Sequence, residues 1–128
     1  MRKAPLVLPA DTILSDVIEQ MTQEKISSVI VADPVGQVLG IVTEQDITRR
    51  VTFQVDRTDP VSEVMTSPVH SITASDYLFR AIARMRRYDL KHMPVVDPNG
   101  LPVGMLDLHD AMAVANENVS LVLTGSGD

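Results

Sequence analysis

The chain matches itself at an offset of 64 residues, and that internal repeat constrains the fold more than any other feature. Gly36 and Gly40 return as Gly100 and Gly104, and Asp33-Pro34-Val35-Gly36 lies over Asp97-Pro98-Asn99-Gly100. The same shift pairs Ala10 with Ala74, Leu14 with Leu78, Ile18 with Ile82 and Met21 with Met85. With Val31/Val95 and Asp46/Asp110 it gives ten identities over residues 10–46 and no gap. Neither half, at about 60 residues, covers both faces of a sheet of its own, so two halves packed sheet to sheet are expected.

Each copy spells the same elements. Leu14, Val17, Ile18 and Met21 fall at i, i+3, i+4 and i+7, and Leu78, Ala81, Ile82 and Met85 repeat that spacing, which predicts two amphipathic helices. Asp11 or Thr12 and Ser75 or Asp76 are the expected N-caps. Val29–Val31 and Pro94–Val96 predict strands, followed by an Asp-Pro-x-Gly turn and returning strands at Val38–Val42 and Pro102–Leu106. Second helices are expected at Glu44–Val51 and Leu108–Ala115, and a short extra strand before each copy at Leu6–Leu8 and His70–Ile72. The fold class is thus α+β: two pseudo-symmetric repeats of helix, strand, strand, helix. The repeats are placed at 4–56 and 67–116, with a linker and lead-in segment at 57–66 and a flexible tail at 117–128.

Composition narrows the function. There are 17 acidic against 11 basic residues, a net charge of −6 and 3% aromatics, which disfavours counterion-releasing or base-stacking contact with nucleic acid. The absence of cysteine removes thiolate metal sites and Cys nucleophiles. His70, His92 and His109 lack metal-ligand spacing, so no metal is expected. No apolar run spans a membrane, and Pro5, Pro9 and Asp11 interrupt any leader after Met1-Arg2-Lys3; a cytoplasmic protein is expected. Asn118-Val119-Ser120 is read as a chance sequon. No P-loop or nucleophile elbow occurs, and an enzyme is not expected.

Several motifs resemble the tandem CBS-domain pair, the regulatory module named after cystathionine β-synthase. Glu63-Val64-Met65-Thr66 with Pro68 resembles its lead-in segment, and His92-Met93-Pro94-Val95-Val96-Asp97 its central strand and turn. Gly40-Ile41-Val42-Thr43-Glu44-Gln45-Asp46 is similar to its nucleotide-contacting pattern. The likeness spans residues 4–116 and looks like pairs found inside larger bacterial proteins, as an excised regulatory part.

The resemblance implies an adenosine-type ligand (AMP, ADP, ATP or S-adenosylmethionine) in the cleft between the repeats, as effector and not as a required cofactor. Carried onto this chain, Ser27, Ser28 and Val29 would meet the base edge, Thr43 the phosphate and Asp46 the ribose. The second site would use Lys91, His92 and Met93, then Asp107 and Asp110. Physical chemistry supports the pattern: Gly40 admits a close ring, Thr43 stands at a helix start that attracts phosphate, and Asp46 has two oxygens for ribose hydroxyls. Asp107 breaks it, because a carboxylate repels phosphate unless Lys91, Arg86 or Mg²⁺ compensates. That site would be vacant, hold neutral adenosine, or suit a cation.

The bland reading of Thr43 and Asp46 is a helix cap, and of Arg80, Arg84 and Arg87 a solvated basic face. Their sharper readings are a nucleotide site and a phosphate clamp or intersubunit contact. The function expected is a regulatory, allosteric sensor, acting as a homodimer with a fused or associated effector domain. The alternative is a structural dimerisation module with no nucleotide. Ala81-Ile82-Ala83 and Ala111-Met112-Ala113 are the small apolar surfaces expected at the dimer contact.

Overall fold

The computed structural model describes residues 5–53, 55–67 and 69–115. Pro68 of the lead-in pattern, the sequon and the tail at 117–128 lie outside these residues. The chain divides into one unit of residues 6–69 and another from residue 70 onward that also takes in Pro5. In the first, β1 (Val7–Pro9), α1 (Leu14–Glu24), β2 (Ser28–Ala32), β3 (Val38–Thr43) and α2 (Glu44–Phe53) follow in order. The second repeats the series as β4 (Ile72–Thr73), α3 (Leu78–Arg87), β5 (His92–Val96), β6 (Pro102–Asp107) and α4 (Leu108–Ala115). Each sheet has its second strand central, parallel to the first and antiparallel to the third. Both central strands carry a register break at the same repeat position, Val31/Ala32 and Val95/Val96.

The hairpins show why Asp-Pro-x-Gly was kept twice. Asp33 Oδ1 accepts the N–H groups of Val35 (3.0 Å) and Gln37 (2.9 Å). Asp97 Oδ1 likewise accepts those of Asn99 (2.9 Å) and Leu101 (3.0 Å). Gly36 and Gly100 close the turns at φ 95° and 85°, where a side chain would be strained.

Each helical stripe lies on its sheet. Leu14, Val17 and Met21 are buried with Leu8, Val29, Val31 and Val42, and Ile18 packs at their margin. Leu78, Ala81, Ile82 and Met85 are buried with Ile72, Met93, Val95 and Leu106. Burial of one such large apolar side chain is worth about 1.5–3 kcal/mol. Ala81, Ile82 and Ala111 are therefore not the surfaces expected for a dimer: helical spacing turns them into the core, leaving Ala83, Met112 and Ala113 exposed.

The helix starts also differ from expectation. Ile13 and Tyr77 hold the N-cap positions, and neither α1 nor α3 has a side-chain cap. At α1, backbone carbonyls substitute for Asp11 or Thr12, because Leu14 N–H reaches Asp59 O and Ser15 N–H reaches Arg57 O, both at 2.9 Å. Asp76, expected as a cap, instead accepts from Thr73 N–H (3.3 Å) and Thr73 Oγ1 (2.9 Å), while Ser75 Oγ lies 3.4 Å from Thr73 Oγ1. At their far ends, Lys25 (φ 56°) and Asp89 (φ 55°) occupy the left-handed region at one shared repeat position. Ile26 N–H and Leu90 N–H then reach back to Met21 O (3.1 Å) and Met85 O (2.7 Å).

β4 begins at Ile72, later than the expected His70. In the first unit Ile30 N–H donates to Leu6 O at 2.9 Å, which anchors β1. The equivalent of Ile30 is Pro94, which has no N–H to give. His70 consequently leaves the ladder and stacks on Tyr88, with ring centroids 4.0 Å apart. Ser71 O accepts Arg84 Nη1 at 2.7 Å.

Residues 57–66 are built into the first unit. Val61 and Val64 are buried in its core, and a 3₁₀ turn spans Val61–Glu63. Thr66 pairs antiparallel with Ile41 through two hydrogen bonds, 2.8 and 3.2 Å. A Cβ on Gly40 would stand 2.7 Å from Thr66 O and 2.8 Å from Met65 Sδ. A close neighbour that requires glycine here is the chain's own lead-in segment.

Candidate functional site

In the first unit, four of the five expected residues meet at one corner, where β3 runs without a loop into α2. Ser28 lies opposite Thr43 in the β2–β3 register. Ser27 O accepts the N–H of Glu44, the first residue of α2, at 3.0 Å. Thr43 and Asp46 then clasp each other. Asp46 Oδ2 accepts both Thr43 N–H and Thr43 Oγ1–H at 3.0 Å, and Asp46 N–H donates to Thr43 Oγ1 at 3.3 Å. This reciprocal capping box satisfies two orphan donors of the helix start and sets a carboxylate at the positive end of the dipole. Both residues are half-buried, Ser28 is half-buried and Ser27 is exposed.

Val29 stands apart from that corner. Its side chain is fully buried in the helix-side core. Because Ile30 N–H points to β1, strand alternation turns the main chain of Val29 toward β3 and its partner Val42.

The second unit builds the same corner with different chemistry. His92 lies opposite Asp107, and Lys91 O accepts the N–H of Leu108, the first residue of α4, at 2.9 Å. Met93, like Val29, is fully buried in the core. Only one arm of the clasp remains: Asp110 N–H donates to Asp107 Oδ1 at 3.0 Å. Asp107 Oδ2 faces His92 Nε2 at 3.4 Å, a pair that is ionic only when the imidazole is protonated. Asp110 is exposed. The basic side chain that reaches Asp107 is thus that of His92, a contact legible in sequence only once the β5–β6 register is known.

A Thr-x-x-Asp clasp also occurs at Thr73–Asp76, ahead of α3. Asp76 there lies 3.7 Å from Arg80. The clasp by itself is therefore a structural device, and the neighbouring Ser27 and Ser28 are what distinguish the corner at α2. Among the described residues no group of three or more His, Asp or Glu side chains is placed to hold a metal, and no helix is long and apolar enough to cross a membrane.

Comparison with known proteins gives a family model described as "CBS domain", which matches residues 1–52 and 61–117. A CBS domain-containing protein of Arabidopsis thaliana is 31% identical over 115 residues, 84% of this chain; the chain spans 21% of that relative's length. A CBS domain protein of Pyrobaculum aerophilum, solved complexed with AMP, superposes with a TM-score of 0.79 at 25% identity, covering 86% of this chain and 85% of that one. The CBS domain pair of the protein MJ0100, solved with 5′-methylthioadenosine and S-adenosylmethionine, gives 0.80 at 20% identity over 91% of this chain and 92% of that one, a likeness of fold.

Proposed function

The chain belongs to the CBS-domain family, and from that premise we propose that it is a non-catalytic regulatory module that senses an adenosine-type ligand. The observation that carries this reading is the corner at α2: Ser27, Ser28, Thr43 and Asp46 gathered at a helix start, in a chain similar to a protein solved with AMP. Thr43 and the first turn of α2 would offer a phosphate the positive dipole end of a helix, with the Thr43–Asp46 clasp reopening to release its donors. Asp46 spends Oδ2 on Thr43, so Oδ1 is the atom left to accept a ribose hydroxyl. AMP, ADP and ATP are the ligands we assign to this corner.

The second corner suits another ligand class. A phosphate placed there would face Asp107, and unit charges about 4 Å apart repel by roughly 4 kcal/mol at an effective dielectric of 20. A neutral adenosine compound, or a cationic one such as S-adenosylmethionine, avoids that repulsion. Ligand binding would bias a homodimer whose geometry a fused or associated effector domain reads. The bias can come only from different affinity for the two arrangements.

A structural dimerisation module is the second reading, and one observation favours it: Thr43 and Asp46 spend their polar groups on each other, as Thr73 and Asp76 do ahead of α3. Thermal-shift and calorimetric titration with AMP, ATP and S-adenosylmethionine separate the two. A ligand at 100 times its Kd should add about 2.7 kcal/mol of stability. A hydrogen bond to a charged acceptor is worth about 1.5–3 kcal/mol, so Asp46→Ala should weaken AMP binding more than tenfold. A 2′-deoxy analogue should lose part of that on the parent and little on the variant. Parent-like binding by Asp46→Ala defeats the site, and absence of binding at millimolar ligand favours the structural module.

A further inference from the structure

Ser28 and Thr43 face each other across the first hairpin, and the same two register positions of the second hold His92 and Asp107. Neither hydroxyl of the first pair exchanges a proton near neutral pH. The imidazole of the second does, because the ordinary titration of histidine falls between about pH 5 and 8. All three histidines of the chain belong to the second unit. His70 is stacked on Tyr88, and His109 is exposed in the first turn of α4. His92 is the one set against a carboxylate: Nε2 lies 3.4 Å from Asp107 Oδ2, with the imidazole side chain 16% exposed and the carboxylate 40%. Asp107 Oδ1 already accepts Asp110 N–H at 3.0 Å. The other titratable groups beside this pair are Lys91, just ahead of β5, and His109 and Asp110 of α4, all exposed; β4 carries none. α3, whose arginines are all exposed, packs through Met93 and Val95 on the opposite face of β5 from His92.

We propose that His92 decides, by the proton it carries, which charge of ligand the second corner accepts. With a neutral imidazole, Asp107 is an uncompensated carboxylate that turns a phosphate away. With an imidazolium, the pair has no net charge and a phosphate is admitted. The proposal rests on the adenosine-ligand reading above and adds the regulation of its second corner. A neutral adenosine compound gains nothing from the proton, because it has no charge through which to tell the two forms apart. By reciprocity, a phosphate that prefers the protonated corner draws a proton onto it when it binds. The first unit contains no histidine, so its corner is a control within the same chain.

The probe is the methyl ester of AMP, a phosphodiester whose negative charge is constant over the range used, with adenosine as the neutral comparison. Titrations of the whole chain followed by NMR at about pH 5.5 and about pH 8 lie on either side of the imidazole transition. The amides of Leu108 and Asp110 report the second corner, and those of Glu44 and Asp46 the first. At the second corner the phosphodiester should bind about tenfold more tightly at the lower pH, an effect held down by solvent screening of the half-exposed carboxylate. Its affinity for the first corner, and that of adenosine for either, should change by less than about twofold. His92→Ser should abolish the pH effect, and His109→Gln should keep it. Calorimetry in buffers of different ionisation heat should show proton uptake when the parent binds the phosphodiester, and none for His92→Ser. Should His92→Ser fail to fold, absence of that uptake by the parent overturns the proposal by itself. Equal phosphodiester affinity at both pH values, or a pH effect that survives His92→Ser, also overturns it while leaving the adenosine reading standing. If no adenosine compound reaches the second corner at either pH, the adenosine reading of that corner fails and the proposal falls with it.

Discussion

At the start of α2, Thr43 and Asp46 hold each other through three hydrogen bonds; at the start of α4, Asp107 and Asp110 share one, and the spare carboxylate oxygen turns to His92. The backbone beneath them is the same. Ser27 O and Lys91 O each bind the first N–H of the helix, at 3.0 and 2.9 Å. The side chains at Ser27/Lys91, Ser28/His92 and Thr43/Asp107 therefore change the chemistry of the corner without altering how its main chain is built. The lesson is that repeat symmetry resides in the main chain, and differences of chemistry reside in the few side chains it presents.

The largest effect that could break this comparison lies in the core beneath the corners. Val29 and Met93 are equivalent and fully buried. Met93→Ala should cost about 2–5 kcal/mol in urea unfolding, with Val29→Ala costing less because a smaller group is removed. Folded Val29→Ala should bind AMP within a few-fold of the parent, as expected of a residue that supports the site without touching ligand.

The ligand-class difference can be removed directly. Asp107→Thr should restore the missing clasp and relieve the repulsion, improving ATP binding at the second corner at least tenfold, or about 1.4 kcal/mol. Calorimetry of the parent showing two equal ATP sites without Mg²⁺ would end the argument from Asp107.

Stability without ligand should register the clasp as well. Asp46→Ala removes an N-terminal capping partner and should cost about 1 kcal/mol, whereas exposed Asp110→Ala should stay within about 0.5 kcal/mol. Equal losses in chemical denaturation would mean that the two helix starts are energetically alike.

The smallest contrast is at the helix ends. Lys25 and Asp89 both hold a left-handed conformation, which Asp tolerates better than Lys. Lys25→Gly should stabilise by about 0.5–1 kcal/mol, and Asp89→Gly by less. A larger gain at Asp89 than at Lys25 would reverse the ranking.

Much of this was legible in the chain because periodicity and turn chemistry act locally. The stripes of α1 and α3, the hairpins and the β3–α2 junction follow from spacing, Asp-Pro-x-Gly and β-branched runs. What escaped depends on tertiary partners. No local rule says that Asp59 O and Arg57 O will serve α1 so that Asp11 and Thr12 need not. The late start of β4 was in principle readable, since Pro94 was in view, but only if the strand it faces is known. At the candidate site, the Thr43–Asp46 spacing was legible as a helix start, while the burial of the Val29 and Met93 side chains and the approach of His92 to Asp107 required the sheet register.

The pairing of Thr66 with Ile41 also bears on the order in which the protein comes into being. Gly40, Val61 and Val64 tie the first sheet to residues that lie beyond the first sequence repeat. A ribosome that has released only residues up to Asp56 has made every strand of that sheet, yet the exposed edge at Ile41 and the places of Val61 and Val64 are still unfilled. At about 5–20 residues per second, the ten residues to Thr66 emerge within roughly two seconds. Until then the nascent first half carries an open strand edge, which is the feature most apt to pair wrongly with another chain. The lead-in of the second repeat thus acts as the closing stitch of the first, and its position along the chain sets the moment at which the first half becomes safe.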